Sequence, residues 1–415
     1  MKRIYKITQV ALFGAFIVGC TDLDTAPLSS TITADQKEDV VAADPSKIEA
    51  SVTAITANFT QYAKIYTEDD NVHSDIGYPT IMLATDSRTT DFVADITGYN
   101  WYSNSANYSD CLSTSTATIE FWGTLYNQIY TANAVIGTVD NETSDPTLQF
   151  YLAQALAIRA FDYFTLVQLY QFNYKGHEDA PGVPIITSEN AEEVAANGCA
   201  RSTVKETYEF ILGDLNKAIE LLANTKKTRS DKRYVSLDVA YGIRARVHLT
   251  MHNYADALKD AEAALASTSS VPYSSAAVSK PTFIDIEDAS WMWGILITDK
   301  DRVSTTGICN FPSHMGSLNY GYASVGGWRR ISPKLYNQIP ESDVRKGWFL
   351  DDTGVSVNLP AAAQAYITKK GAPVYTQVKY GPMNDEWGSN NNATDVILMR
   401  VEEMYFIEAE AVAQQ

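Results

Sequence analysis

The sequence predicts a mainly α-helical protein of tetratricopeptide-like helical hairpin repeats, with a loop-rich, irregular region carrying a few short strands. Three observations predict it. Apolar residues recur at helical spacing through several long stretches between residues 44 and 270. Two adjoining stretches, 237–251 and 254–266, place Tyr241, Ala245, His248, Tyr254, Ala257, Ala261 and Ala264 close to the positions of a tetratricopeptide hairpin, with Arg244 at a usual Leu site. From 271 to 395 the periodicity lapses, and Gly, Pro, Ser, Asn and aromatic residues dominate.

Each element has a local reason. Asp44-Pro45 reads as an N-cap and first helical position, followed by Ile48, Val52, Ile55, Phe59 and Tyr62 at helical spacing. Residues 67–116 are loop-rich. A helix is expected over 117–137, with Trp122, Leu125, Tyr126, Ile129, Asn133 and Ile136 as its core stripe, and a longer one over 146–170. Thr203-Val204-Lys205-Glu206 matches a capping box, in which Thr caps the helix and Glu reaches back. Val204, Tyr208, Ile211, Leu215, Ala218 and Leu222 then form an apolar stripe. In the hairpin, Ala257, Ala261 and Ala264 let one helix approach its partner closely, and the bare face left over must be covered by a further pair. Trp291 and Trp293 alternate with Met292 in a strand expected over 290–297, which puts both rings on one core-facing side. Residues 396–415 read as one helix of a further repeat, apparently truncated.

The N-terminus predicts export. Lys2, Arg3 and Lys6 precede an apolar run from Ile7 to Val18, too short to span a bilayer, and Ile17-Val18-Gly19-Cys20 follows at once. This stretch resembles the lipobox of bacterial lipoproteins. The resemblance implies a signal peptide over 1–19, acylation of Cys20, and a polar tether through residue 43. The remaining parts are a helical region over 44–270, the loop-rich region over 271–395 and the closing helix.

Charge limits the partners. The chain has 32 Lys+Arg against 50 Asp+Glu, and removing Lys2, Arg3 and Lys6 leaves 29 against 50. No basic stripe offsets this, so nucleic acid is not an expected partner. Cys111, Cys199 and Cys309 are an odd number with no zinc spacing. His248 and His252 are four apart but lack the Glu of a zinc-protease motif. Glu68-Asp69-Asp70-Asn71 with Asp75 and Gly77 departs from the EF-hand pattern. No phosphate loop, nucleophile elbow or paired-Cys motif is present, so the expectation is a protein without catalytic residues, metal or cofactor. A pair of carboxylates for glycoside hydrolysis leaves no local motif and stays open.

Several separate stretches resemble the SusD/RagB family of Bacteroidetes outer-membrane lipoproteins. They are Phe121-Trp122-Gly123 through Ala132-Asn133, Ala157-Ile158-Arg159-Ala160-Phe161 through Tyr170, Gly182-Val183-Pro184, Asp214-Leu215-Asn216-Lys217-Ala218, Ile331-Ser332-Pro333 through Asp343-Val344-Arg345, and Leu398-Met399-Arg400 through Glu410-Ala411. With Cys20 they follow the family's order along nearly the whole chain. The family usually continues beyond this last helix.

The resemblance implies a cell-surface, lipid-anchored binding protein of the outer membrane. It implies capture of an oligosaccharide, or a peptide in some relatives, for a SusC-like TonB-dependent barrel transporter. An envelope scaffold and a surface glycan hydrolase are the alternatives. A pyranose presents C–H faces and a hydroxyl rim, so its site needs aromatic platforms beside Asn, Arg or Ser. Two predicted loops have that mixture, and they nominate Asn100, Trp101 and Tyr102 in one and Tyr320, Tyr322, Trp328 and Arg329 in the other. Trp387, amid Asn and Asp residues, is a third candidate.

Overall fold

A computed structural model of the chain describes residues 34–60 and 73–415. The expected signal over 1–19, Cys20, Tyr62 and the carboxylates of 68–70 lie outside the described residues. The chain divides into two units, one ending at Lys47 and one running from Ile48 to Gln415.

In the first unit, helix α1 spans Ala34–Ala43. The expected tether therefore includes a helix, since Ala, Gln, Lys and Glu favour helical backbone even in a polar stretch. Asp44 accepts bonds from the backbone N–H of Ser46 (3.1 Å) and from its hydroxyl (2.7 Å), as the capping expectation required.

The second unit is mainly helical. Helix α2 (Glu49–Ala57) buries Val52 and Ile55, and α3 (Tyr78–Asp86) buries Ile81 and Leu83. Helix α4 spans Thr116–Ile136, and Ser115 caps it by accepting from Thr118 N. Helix α5 (Pro146–Tyr170) opens on Asp145, which accepts from Thr147 N and Leu148 N, with Pro146 at the first helical position. Every residue from Phe150 to Val167 is buried, so α5 is the axle on which α4 and α6 (Val204–Asn224) pack. The capping box at Thr203 and Glu206 is formed. Helices α7 (Leu237–Thr250) and α8 (Tyr254–Ser267) make the expected hairpin, with Ala257, Ala261 and Ala264 buried at its seam. Arg244 sits at the usual Leu position because it forms a two-pronged bond with buried Asp260, 2.7 and 2.6 Å.

Two expectations are corrected. Residues 396–400 are a strand, and only Val401–Gln414 is helical (helix α10, after α9 at Ala361–Lys370). The run Val396-Ile397-Leu398-Met399 pairs antiparallel with Trp291–Ile295, and that apolar ladder outweighs helical preference. With strand β1 as Phe92–Ala94, β2 as Trp291–Ile295, β3 as Arg329–Ile331 and β4 as Val396–Arg400, the two ladders are β1–β3 and β2–β4. Trp291 and Trp293 are both fully buried, but register shifts in β2 send them to different neighbours. Trp293 packs edge-on against Phe59 and Phe161, whereas Trp291 joins Phe283 and Ile286. Trp122 is the second correction. Leu125, Ile129, Asn133 and Ile136 are buried, but Trp122 is 37% exposed at the flank of the stripe, against Tyr126 and Tyr170.

Candidate functional site

The β1–β3 ladder brings the loop over 99–105 against the segment that precedes β3. Arg329, carried on β3 and 1% exposed, holds that junction. Its Nε donates to His314 O and its Nη1 to Asn100 Oδ1, both at 2.8 Å. Asn100 in turn donates to Asp95 O and accepts from Tyr102 N. Burial lowers the Arg329 guanidinium to about 10.

An aromatic platform stands on this frame. His314 is fully buried in the short helix Phe311–Met315, and burial keeps its ring neutral down to about pH 3. Its Nε2 donates to His73 O (2.9 Å) and its ring stacks on Tyr322 at 5.0 Å and 24°. The Tyr322 hydroxyl, pushed up to about 12 by burial, bonds His73 Nδ1. The His73 ring lies 4.9 Å from half-buried Trp101, and Trp101 stands 6.1 Å from Tyr322. Tyr99, 50% exposed, rides over Gly326, where a Cβ would lie 2.7 Å from its ring. Next to Trp101 opens a cavity of about 380 Å³, lined among others by Ser74, Thr80, Asn104, Ser115 and Glu120. Such an arrangement offers a fixed indole beside a wall of hydroxyl and amide groups, which suits a polar ring with apolar faces.

The nominated residues separate into three groups. Trp101 and Tyr322 come together at the platform. Asn100, Tyr102 and Arg329 are adjacent but buried and brace the platform, and Tyr102 also lines the cavity beside it. Trp328 is also corrected: it is 7% exposed and packs in a core with Leu318, Leu350 and Ile367. Tyr320 is exposed elsewhere, with Lys370 Nζ 6.0 Å from its ring. Trp387 is half-buried at a second cavity of about 610 Å³, beside Asn358, Asn384 and Asp385. His73, His314 and Glu120 carried no sequence signal, because each reaches the site through tertiary packing, and Asp75 stood out only as part of an acidic loop. The His248 and His252 pair does not share a helix face: α7 ends at Thr250 and His252 has φ 62°.

Residues 35–249 match the model of a SusD-like family described as starch-binding and associating with the outer membrane. The chain belongs to the SusD-like family. Solved structures share this SusD-like fold. A SusD-like carbohydrate binding protein from Bacteroides vulgatus is 24% identical, with a TM-score of 0.70 over 88% of this chain and 71% of that one. A SusD superfamily protein from Bacteroides thetaiotaomicron is 21% identical, with a TM-score of 0.67 over 89% and 76%. Surface glycan-binding protein A from Bacteroides thetaiotaomicron, solved with laminarihexaose, is 18% identical, with a TM-score of 0.58 over 89% and 78%. Comparison with curated proteins returns no match. No described helix is long and apolar enough to cross a membrane.

Proposed function

We propose that this SusD-like chain binds an oligosaccharide at the Trp101 platform and passes it, unchanged, to a TonB-dependent barrel in the outer membrane. The observation that carries this reading is Trp101 itself. Its ring is fixed by His73 and Tyr322 and borders a cavity walled by hydroxyl groups. Family membership and the laminarihexaose complex of a structural relative support glycan as the cargo class. A fixed indole costs little ordering on binding. With about 1 kcal/mol from each of two or three rings, affinity is weak, on the order of ten millimolar, which suits cargo that must be released. Two or more acyl chains on Cys20 would hold the protein at the membrane, since one chain alone binds only marginally.

The test is affinity electrophoresis of the purified full chain through gels containing laminarin, starch or xylan, with product analysis of the same mixtures. Retardation by one polysaccharide that Trp101→Ala weakens severalfold, without shortened products, supports the proposal. Shortened products would instead make the protein a hydrolase. Co-purification with a barrel and no retardation would make it a scaffold.

A further inference from the structure

The cavity beside Trp101 is lined by a buried acid, Glu120, whose charge is opposed by a second buried acid, Asp75. Glu120 lines the cavity and is 3% exposed, and its Oε1 has no hydrogen-bond partner. Asp75, equally buried, has an unpartnered Oδ2 and interacts with Glu120 through charge. The other charged groups nearby have partners of their own. Asp110 is held by Arg88 Nη2 (3.1 Å) and the Ser105 hydroxyl (2.5 Å). Arg329 lies beyond Tyr102, where its Nε and Nη1 donate to His314 O and Asn100 and its Nη2 is unpartnered. The Tyr102 phenol is buried and stays neutral. Burial, with each acid also opposing the other's charge at Glu120, raises Asp75 to about 7 and Glu120 to about 8.

A sugar hydroxyl needs only one acceptor, which Asn104 or Ser115 supplies without burying an acid. Two buried acids, one opposing the other's charge, are a poor choice for a neutral cargo. They are well matched to an ammonium group, whose N–H bonds to carboxylate are roughly twice as strong as neutral ones. The neighbouring indole adds cation–π attraction in a partly desolvated site.

We infer that this cavity is a specificity subsite for a primary ammonium group on the cargo, donating to the Glu120 carboxylate beside Trp101, with the charge of Asp75 adding to the attraction. The inference rests on the reading of the Trp101 platform as the cargo site. The ammonium comes from a hexosamine ring or from a lysine side chain, and both present the same group. A lysine ammonium, ionised throughout this range, displaces the acid's proton to solvent, so its binding tightens as pH rises from 6 to 8, by up to about tenfold per pH unit for each proton released. A hexosamine amine titrates near neutrality, so above its own pKa it takes up the acid's proton and none is released.

Titration calorimetry of the full chain with chitosan oligosaccharides, their N-acetylated counterparts, neutral glucan oligosaccharides and lysine amide tests this. The expected result is at least fivefold tighter binding of the free amine over the acetylated sugar at pH 8. That preference shrinks at pH 6, and with lysine amide proton release appears as a buffer-dependent heat. Glu120→Gln and Asp75→Asn, near-isosteric changes, should each abolish the preference. Lysine amide binding as tightly as the amino sugar keeps the ammonium site and assigns its source to peptide. Equal binding of amine and N-acetyl forms, or a preference that survives Glu120→Gln, overturns the inference. So does calcium binding that Glu120→Gln removes. Neutral-glucan binding that weakens severalfold with Trp101→Ala decides the platform separately, so either reading can fail alone.

Discussion

Arg159 and Asp214 meet as a two-pronged ion pair, Nε to Oδ2 and Nη2 to Oδ1, both 2.8 Å, buried between α5 and α6. The third prong, Nη1, donates to Asn133 Oδ1 on α4 at 2.7 Å. Three sequence stretches that looked like separate family signatures are thus one cluster. Removing one partner strands the other's charge in the core. Arg159→Ala is expected to cost about 3–5 kcal/mol, read as a lower urea midpoint. The double replacement Arg159→Met with Asp214→Leu, which removes both charges, should recover most of that loss.

Glu120 makes stability depend on pH in a defined direction. Its folded value of about 8 lies above the ordinary glutamate value of 4.5. Between those limits the folded state keeps a proton that the unfolded chain has lost, so stability falls as pH rises through that window. Glu120→Gln should therefore be neutral at pH 4 and stabilising by about 3 kcal/mol at pH 7. Urea titrations at both pH values measure it, and a gain independent of pH would contradict the argument. Asp162, fully buried with neither carboxylate oxygen partnered, has the same sign, so Asp162→Asn should also gain with rising pH.

Trp101 and Trp328 should behave oppositely. Trp101→Ala should weaken glycan retention severalfold while barely moving the melting temperature. Trp328→Ala should cost about 3–5 kcal/mol through the cavity left among Leu318, Leu350 and Ile367. Glycan retention by the fraction that stays folded should be unchanged.

Gly321 is the point where the platform touches its own support. A Cβ there would lie 2.5 Å from Ser313 Cα, which is backbone and cannot step aside. Gly321→Ala should cost about 1–3 kcal/mol and displace Tyr322, the next residue. Melting curves give the first effect. Loss of laminarin retardation, if laminarin is the cargo, reports the second.

The helical scaffold was legible because helix signals are local. Asp145-Pro146, Thr203 with Glu206, and the alanines of α8 each declare their element within a few residues. The strand over 396–400 was not legible, since its partner lies about a hundred residues earlier and nothing nearby distinguishes it from a buried helix start. The site was half legible. Aromatic loops drew attention to Trp101 and Tyr322, but composition does not separate an aromatic that faces outward from one that fills a core, as Trp328 does. Trp122 erred the other way, because periodicity locates a stripe and not its edge. The histidines and the acid pair arrive from distant segments, and only packing makes them neighbours.

The β2–β4 ladder has a further consequence. Ile295 faces Val396, so the chain leaves the helical body and returns to it at almost the same point. Everything between is an excursion with pinned ends. Lengthening, shortening or exchanging that excursion need not disturb the spacing of its two anchors. That excursion carries Tyr322 and Arg329, so exchanging it re-forms one side of the platform, while Trp101 and the cavity beside it stay with the anchored body.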